Sequence, residues 1–281
     1  MDVSELQKAV KEFLHETTPI AEHISYVKWK ESDGLVPVIF RAVLKRQYES
    51  LSSVVEMSNS ERGYSAVSLL RPACEELIWI KYLKHVGLKD ANELLRLMAV
   101  TEIGRTLEAQ LEFAGPEMMK SLGFTPTFLS EQSASVLEAE RRFKSLGQRL
   151  NWQSKKKGQI PSVFFLAKAT NNLELYKFLY HATSKFVHFS VHELMRRVWG
   201  KPGALSISSD TYAKYWSAFS LRWGLHLYLE TLVEALDWIE PEAGPDLSEA
   251  RLMETADVIR KFGLVPIITA EELRWPFHSE F

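Results

Sequence analysis

The side chains best suited to chemistry in the first half of this sequence are an arginine and a glutamate one helical turn apart, Arg71 and Glu75. They share an arc with Tyr82 on a predicted helix over residues 62–85, and apolar residues occupy most of the other positions. An unpaired guanidinium inside a protein is very costly, so this polar stripe must face a cavity, another polar stripe or a partner. A structural buried ion pair is the other interpretation of the pattern.

Three histidines, His181, His188 and His192, lie within a narrow arc of a predicted helix over residues 172–199. A histidine near neutral pH can act as a general base, which favours a catalytic or ligand-binding site. A solvated polar face is the simpler interpretation. His188 and His192 are one turn apart and could share a metal ion, but no carboxylate ligand is assigned beside them. We therefore expect no metal.

The composition limits the classes of protein that this chain can form. Its 281 residues are 46% hydrophobic and 25% charged, which excludes a disordered or fibrous protein. The single cysteine, Cys74, excludes a disulfide framework, and we expect it to fill space in the core. The net charge of -2 argues against wholesale wrapping by nucleic acid. We find no secretory signal and no apolar run of the ~18 residues that a membrane span needs, so we expect a cytoplasmic protein without membrane contact.

Apolar residues recur at helical spacing through most of the chain, and no convincing period-two alternation occurs. Ser4 and Asp210 are suited to cap the first and the last long helix, and the Thr-Thr-Pro sequence ending at Pro19 is expected to stop the first. Pro72 predicts a kink near Ser68. We expect helices over residues 4–16, 35–57, 62–85, 90–114, 128–150, 172–199, 210–239 and 246–262. The sequence therefore predicts an all-α multi-helix bundle.

The chain lacks the glycine-rich phosphate loops, the Gly-x-Ser-x-Gly turn and the His-Glu-x-x-His pair, so nucleotide-driven motors, Rossmann oxidoreductases, serine hydrolases and zincins are excluded. We expect no cofactor. We divide the chain into an N-terminal helix and linker (1–34), a bundle domain with the site (35–240) and a C-terminal extension packed on the bundle (241–281). Apolar excess over residues 221–239 predicts self-association, as a homodimer.

The order of these residues resembles a bacterial all-helical family of unknown function. In that family an Arg-x-x-x-Glu helix, here Arg71 and Glu75, is followed by a Tyr-x-x-x-Ser-x-x-x-His helix, here Tyr180, Ser184 and His188. The family is similar to the HEPN superfamily of helical bundles, and the resemblance implies RNA-cleaving toxins or antiviral effectors. The Arg-x(4–6)-His spacing of those ribonucleases does not occur near His188.

Metal-free RNA cleavage needs a base for the 2′-hydroxyl proton and a cation for the crowded phosphorane. We assign the base to His188 and the phosphate clamp to Arg71 or Lys185, and we expect Glu75 to orient one of these groups. The residues expected to bind substrate are Ser184, Lys185, Tyr180, Tyr82 and His192. This assignment requires the two polar stripes to face each other.

RNA or a nucleotide is the expected partner, together with a protein from the same operon. A basic cluster over residues 141–157 is either an ordinary solvated surface or a strip that steers phosphate. Two alternatives remain open: a non-catalytic binding or scaffold domain, in which the same residues form a buried structural network, and a metal-dependent enzyme using His188 and His192.

Overall fold

The protein is an all-α multi-helix bundle, as the sequence predicts. The structure is a computed structural model, and the residues that it describes are 2–26, 28–60, 62–152, 160–201, 203–238 and 248–274. The lysines at positions 155–157, part of the predicted basic cluster, lie outside the described residues.

Helices account for most of the described chain, and one short hairpin interrupts them. The helices are α1 Val3–His23, α2 Val36–Asn59, α3 Gly63–Val67, α4 Leu70–Val86, α5 Leu88–Ser121, α6 Pro126–Arg149, α7 Val163–Ala169, α8 Leu173–Val187, α9 Val191–Met195, α10 Asp210–Ala235, α11 Glu249–Phe262 and α12 Ala270–Arg274. The hairpin pairs β1 Val198–Lys201 antiparallel with β2 Ala204–Ile207. Short 3₁₀ turns cover Glu31–Asp33 and Leu236–Trp238.

The chain divides into two compact units. The first unit comprises the described parts of Met1–Lys28, Ile39–Ile80 and Asn172–Phe281, and the second comprises those of Trp29–Val38 and Lys81–Asn171. The division of the chain at residues 34 and 240 stays a prediction.

The core of the first unit is built around α10. This helix is apolar on most of its circumference, and it contacts α1, α3 and α11. The fully buried Trp216 and Phe219 pack edge to face, and Tyr228 meets the ring of Phe13 on α1. A helix that is hydrophobic nearly all round is buried on all sides, and α10 has that role here.

The second unit contains an antiparallel hairpin of α5 and α6. Gly104 is its point of closest approach, because a β-carbon there would collide with the side chain of Val136. At its base, Arg149 bonds to both Asp90 and Glu93, at 2.9 and 2.7 Å. Part of the predicted basic cluster therefore has acidic partners within this unit.

Several predicted boundaries are confirmed. A turn at Ser68 and Leu69 separates α3 from α4, where Pro72 predicts a kink. The helix expected to close at Gly115 leaves helical geometry there, with φ 77° and ψ 163°, before one further turn. Residues 249–262 form the C-terminal helix, within the predicted range 246–262.

The predicted helix over residues 172–199 is wrong in its second half. Helix α8 ends at Val187, and His188 is extended, with φ -123° and ψ 161°. The hydroxyl of Ser190 accepts a hydrogen bond from the backbone of Glu193 and starts α9. His181 therefore does not share one helix with His188 and His192, and the strands Val198–Lys201 and Ala204–Ile207 are found where the helix was expected to end.

Two end signals were also misassigned. Asp2 rather than Ser4 caps α1, and the helix continues through Pro19 to His23 because Ile20 and Ala21 are buried. At α10 the cap position is Ser209, which makes no side-chain cap bond, and Asp210 is already helical.

The apolar residues of α10 do not provide the surface on which the dimer was predicted. Leu221, Leu225 and Leu232 are fully buried inside the protein, and Leu229 is 5% exposed. No helix in the described part of the chain combines the length and the hydropathy needed to cross a membrane.

We expect Gly63→Ala to destabilise the protein. An added β-carbon would collide with the backbone carbonyl of Ala213 on α10, and the neighbouring atom is main chain, which cannot rotate away. Overpacking of this kind costs about 1–3 kcal/mol, so calorimetry should give a melting temperature several degrees lower. Ser65→Ala, at an exposed position of the same helix, is the control. An unchanged melting temperature for Gly63→Ala would contradict this packing.

Candidate functional site

Three of the residues assigned to one site from the sequence contact each other in the first unit. Arg71 Nη1 lies 3.1 Å from His188 Nε2, and Arg71 Nε donates to Glu75 Oε1 at 3.1 Å. A guanidinium only donates hydrogen bonds, so the imidazole nitrogen is the acceptor. The side chains of Arg71 and Glu75 are 24% and 32% exposed, and His188 is exposed. This group is therefore open to solvent.

The end of α8 aims the imidazole of His188 at Arg71. The last helical bond joins the N–H of His188 to the carbonyl of Ser184 at 3.2 Å, and the extended backbone of His188 then leaves the helix. One turn before Ser184, the ring of Tyr180 lies 4.9 Å from the guanidinium carbon of Arg71. A guanidinium over an aromatic face is held by cation–π attraction, which fixes its plane.

A cavity of about 380 Å³ opens beside His188. Its lining mixes cationic, hydroxyl, carboxyl and aromatic groups. These residues are Tyr64, Ser65, Ser68, Lys185, Phe186, His188, Phe189, Ser190, Glu193, Leu194 and Arg197. Of the predicted site residues, His188 and Lys185 line it directly, and Phe189 presents a ring that is 86% exposed.

The wall behind this cavity contains a buried arginine, Arg196, whose side chain is 3% exposed. Its Nε donates to Glu272 Oε2 at 2.6 Å, and its Nη2 donates to the carbonyl of Ile267 at 2.7 Å. The guanidinium carbon lies 4.6 Å from the ring centre of Trp216. Burying a charge is tolerated only where it is paired and hydrogen-bonded, and Arg196 meets both conditions.

Lys185 and His192 extend this charge group to the rim. Lys185 Nζ is 3.1 Å from His192 Nδ1, and His192 Nε2 is 3.3 Å from Glu272 Oε2. Burial, and then the positive charge of Arg196, lower the pKa of Lys185. Burial also lowers the pKa of His192, with Arg196 and Lys185 acting in the same direction. Both groups therefore release a proton more readily than the same side chains do in water.

Glu193 is the carboxyl group of the cavity. Its side chain is 7% exposed, Oε1 accepts from Arg197 at 3.2 Å, and Oε2 lies 3.8 Å from Arg196. Burial raises the pKa of Glu193 to about 7, although both arginines oppose the rise. Arg197 also stacks 4.2 Å from the ring centre of Tyr64, whose pKa is raised by burial and by Glu193.

Not every residue predicted to bind substrate joins this group. Tyr82 belongs to the second unit, where it is 2% exposed and its ring meets Phe165 edge to face. Ser184 is half-buried and contributes its carbonyl to His188. His188 and His192 contact different partners, Arg71 for the first and Lys185 with Glu272 for the second. Among the described residues no three His, Cys, Asp or Glu side chains are grouped so that they could hold a metal ion.

Sequence reasoning missed Glu193, Arg197 and Glu272. One signal was available for the first: the order Ser190-Val-His-Glu193 matches the Ser-x-x-Glu pattern that begins helices. It would have placed a helix start at Ser190 and ended the long predicted helix before it. No local signal connects Glu272 with Arg196, because the pair is separated by 76 residues.

A family model described as a family of unknown function, DUF5677, matches residues 38–204 of this chain. No curated protein and no solved structure matches it. The matched range includes Arg71, Glu75 and His188 but not Glu272.

We expect Glu193→Gln to change how stability depends on pH. A carboxyl pKa raised to about 7 in the folded state, from 4.5 in the unfolded chain, stabilises the fold below pH 4.5. This contribution is lost as the pH rises from 4.5 to 7. In that window the carboxyl of Glu193 is protonated in the folded state and ionised in the unfolded chain, so a rising pH favours unfolding. The free energy of unfolding of the variant, relative to the natural protein, should therefore increase over this window, by on the order of 3 kcal/mol.

Urea unfolding at a series of pH values between 4 and 8 measures this difference. Glu131→Gln, at an exposed position, is the control and should leave the pH dependence unchanged. A constant difference between Glu193→Gln and the natural protein would show that the carboxyl of Glu193 titrates as it does in the unfolded chain.

We expect Glu272→Ala to destabilise the fold strongly. It leaves the guanidinium of Arg196 buried without its carboxylate, and breaking a buried pair costs about 3–5 kcal/mol. Replacing both partners, as in Arg196→Met with Glu272→Leu, should recover much of the loss. Glu254→Ala, which removes an exposed partner of Arg251, should cost less than about 1 kcal/mol. Denaturant unfolding gives all three values, and an equal loss for Glu272→Ala and Glu254→Ala would refute the role of this pair.

Proposed function

The chain belongs to the DUF5677 family, and since that family brings no activity with it, we propose from the site itself that the protein acts on RNA or a nucleotide. The reaction is metal-independent cleavage of the ribonuclease type, and the biological role is that of a toxin or antiviral effector in bacterial defence. The HEPN-like resemblance of the sequence agrees with this role.

The hydrogen bond between Arg71 and His188 carries the proposal. It joins a neutral imidazole nitrogen to a permanent cation on an exposed surface, at 3.1 Å. Cleavage of RNA by its own 2′-hydroxyl needs these two groups, a base within reach of the hydroxyl and a cation near the phosphate. Glu75 accepts a hydrogen bond from Arg71 Nε, and this bond leaves Nη1 and Nη2 for other acceptors.

The reaction follows from these positions. As substrate binds, Arg71 transfers its hydrogen bond from His188 to a non-bridging phosphate oxygen, and the freed Nε2 accepts the proton of the 2′-hydroxyl. The 2′ oxygen forms a bond to phosphorus while the bond to the 5′ oxygen breaks. The leaving oxygen takes a proton from water, and the hydroxide that remains takes the proton from His188 Nε2, which is thereby restored. The products are a 2′,3′-cyclic phosphate and a 5′-hydroxyl. Arg71 stabilises the negative charge that accumulates between these steps.

The cavity beside His188 supports a nucleic-acid substrate. Lys185 and Arg197 line it and supply positive charge for a neighbouring phosphate. Phe189 is 86% exposed and follows His188 directly, so its ring is free to stack on a base that has been splayed out of its strand. The ring of Tyr180 packs against the guanidinium of Arg71, and His192 Nδ1 hydrogen-bonds to Lys185 Nζ.

The second candidate is a non-catalytic binding or scaffold domain. One observation favours it: the buried charges around Arg196, Glu272 and Glu193 form a hydrogen-bonded network that needs no substrate to explain it. Arg71, Glu75 and His188 do not belong to such a network, because all three are partly or fully exposed. Exposed ion pairs contribute little to stability, so a structural role alone gives no reason for their arrangement.

We expect His188→Ala and Arg71→Ala to abolish cleavage without unfolding the protein. Loss of a general base costs about 10²–10⁴-fold in rate, and loss of a cation that stabilises the transition state costs about 10²–10³-fold. The melting temperature should change little, since both side chains are partly exposed. The assay incubates purified protein with a mixed RNA pool in a chelator and detects 2′,3′-cyclic phosphate ends.

His181→Ala is the matched control, because this histidine is exposed on helix α8, which ends directly before His188. It should cleave as well as the natural protein does. The scaffold interpretation is favoured if the natural protein leaves RNA and nucleotides intact while Arg71→Ala lowers the melting temperature by several degrees. Full activity of His188→Ala would remove the histidine from the mechanism.

A further inference from the structure

One cation of the cavity beside His188, Arg197, is held in place without using all of its hydrogen-bond donors. Its Nη1 donates to the hydroxyl of Ser209 at 2.7 Å, and its Nη2 donates to Glu193 Oε1 at 3.2 Å. Its guanidinium carbon lies 4.2 Å from the ring centre of Tyr64. A guanidinium has five N–H donors, so three of those on Arg197 have no partner in the part of the chain that the structure describes. The side chain is 34% exposed and can therefore bind an acceptor that enters the cavity.

The carboxyl groups of this wall do not cancel its positive charge. Glu272 pairs with Arg196 at 2.6 Å. Glu193 is shared between Arg196 and Arg197, and burial raises the pKa of its carboxyl to about 7, so it carries only part of a negative charge at neutral pH. Two guanidinium groups therefore face less than two carboxylate charges. The excess is positive, and an anion is the ligand that such a wall attracts.

Arg197 lies at the end of the cavity away from Arg71 and His188. Ser68, which lines the cavity, precedes Arg71 by three residues, or roughly one helical turn. Tyr64, on which Arg197 stacks, precedes Ser68 by four residues, or roughly one further turn. The cavity thus has the Arg71–His188 pair at one end and a second guanidinium at the other.

The stereochemistry of cleavage decides which nucleotide enters this cavity. The 2′ oxygen attacks phosphorus in line with the 5′ oxygen that leaves, so these two oxygens lie on opposite sides of the phosphate. His188 contacts the 2′-hydroxyl, and the leaving nucleotide therefore points away from His188. The cavity is lined by His188, whereas Arg71 lies outside its lining. The nucleotide that carries the attacking hydroxyl is thus the one beside the cavity.

The size and lining of the cavity suit one nucleotide. Its volume of about 380 Å³ lies near the lower limit of small-ligand sites, which is about 300 Å³. Phe189 is exposed and offers a ring on which a base can stack. Successive phosphates of an RNA strand are separated by one nucleoside. A strand with one phosphate at Arg71 therefore brings the preceding phosphate toward Arg197.

We propose that the cavity holds the nucleotide on the 5′ side of the phosphate bound by Arg71, and that Arg197 binds the 5′-phosphate of this nucleotide. This assignment rests on the function proposed above. Glu193, Ser209 and Tyr64 position the guanidinium. The substrate is single-stranded RNA with a phosphate on both sides of the bound nucleotide, since a base must be splayed out of its strand to enter a cavity.

NMR titration with short, uncleavable ligands tests this assignment. The ligands are dinucleotides of adenine and of uracil whose first nucleoside is 2′-deoxy, each made without a terminal phosphate, with one at the 5′ end, or with one at the 3′ end. We expect the 5′-phosphate to lower the dissociation constant about 10-fold, since it adds hydrogen bonds between charged groups. The 3′-phosphate should lower it far less. Arg197→Gln should reduce the gain from the 5′-phosphate to that from the 3′-phosphate.

Two further variants complete the experiment. Arg197→Lys keeps the charge but loses the fork of donors, and it should retain part of the gain. Arg260→Gln removes an exposed arginine of α11 that pairs with Asp257, and it should retain all of the gain. Because the gain is a ratio measured on one preparation of each variant, a loss of folded protein does not change it.

Equal gains from the two phosphates, or a 5′ gain that Arg197→Gln leaves intact, would overturn the assignment. The absence of binding would also overturn it. So would a 3′ gain that Arg197→Gln abolishes, because the strand would then run in the opposite direction.

The ribonucleotide forms of the same ligands, incubated in a chelator, test cleavage separately. Intact ribonucleotides together with a 5′ gain that Arg197→Gln abolishes would refute cleavage and support this phosphate site. Cleavage without a 5′ gain would support the proposed function and refute the phosphate site.

Discussion

A buried guanidinium must find a counter-charge and hydrogen-bond acceptors inside the protein, and Arg196 imposes this requirement on the first unit. Its guanidinium contacts a carboxylate of α12, the carbonyl of Ile267 and the ring of Trp216 on α10. Its own carbonyl in turn accepts hydrogen bonds from Tyr64 and Trp199. Elements from α3, the hairpin and the C-terminal segment are thereby joined at a single residue.

This internal charge also acts on the surface of the candidate site. Burial and, after it, the field of Arg196 lower the pKa of both Lys185 and His192, while burial raises the pKa of Glu193 against that field. Lys185 and His192 therefore release a proton more readily than free side chains do, and Glu193 keeps its proton to a higher pH. The hydrogen-bond partner of His188 is Arg71 rather than Arg196, Lys185 or Glu193. The cavity thus has an exposed edge at His188 and a wall with a fixed charge pattern.

The sequence predicts the helices and the polar stripe on each because both depend on local periodicity, whereas the facing of the two stripes was a requirement of the assignment that periodicity could not show. Arg71 and His188, 117 residues apart, were assigned to one site from helical arcs, and they contact each other. The helix end at Val187 was missed because His181, His188 and His192 happen to fit one helical arc. Glu272 could not be found, since the attraction between it and Arg196 is tertiary and leaves no trace in the spacing of either segment. The burial of α10 was misjudged for the same reason: an apolar helix surface does not indicate whether its partner is the same chain or another.

The segment that defines the family, residues 38–204, ends before α10 and α12 begin. Yet Gly63 in that segment lies against Ala213, and Arg196 depends on Glu272. A fragment cut at those limits would keep the positive charge, lose its carboxylate and expose the face of α3. The range that matches the family model is thus shorter than the chain that the first unit needs in order to fold. A related chain that differs after residue 204 must still supply a carboxylate for the arginine at this position, or replace the arginine.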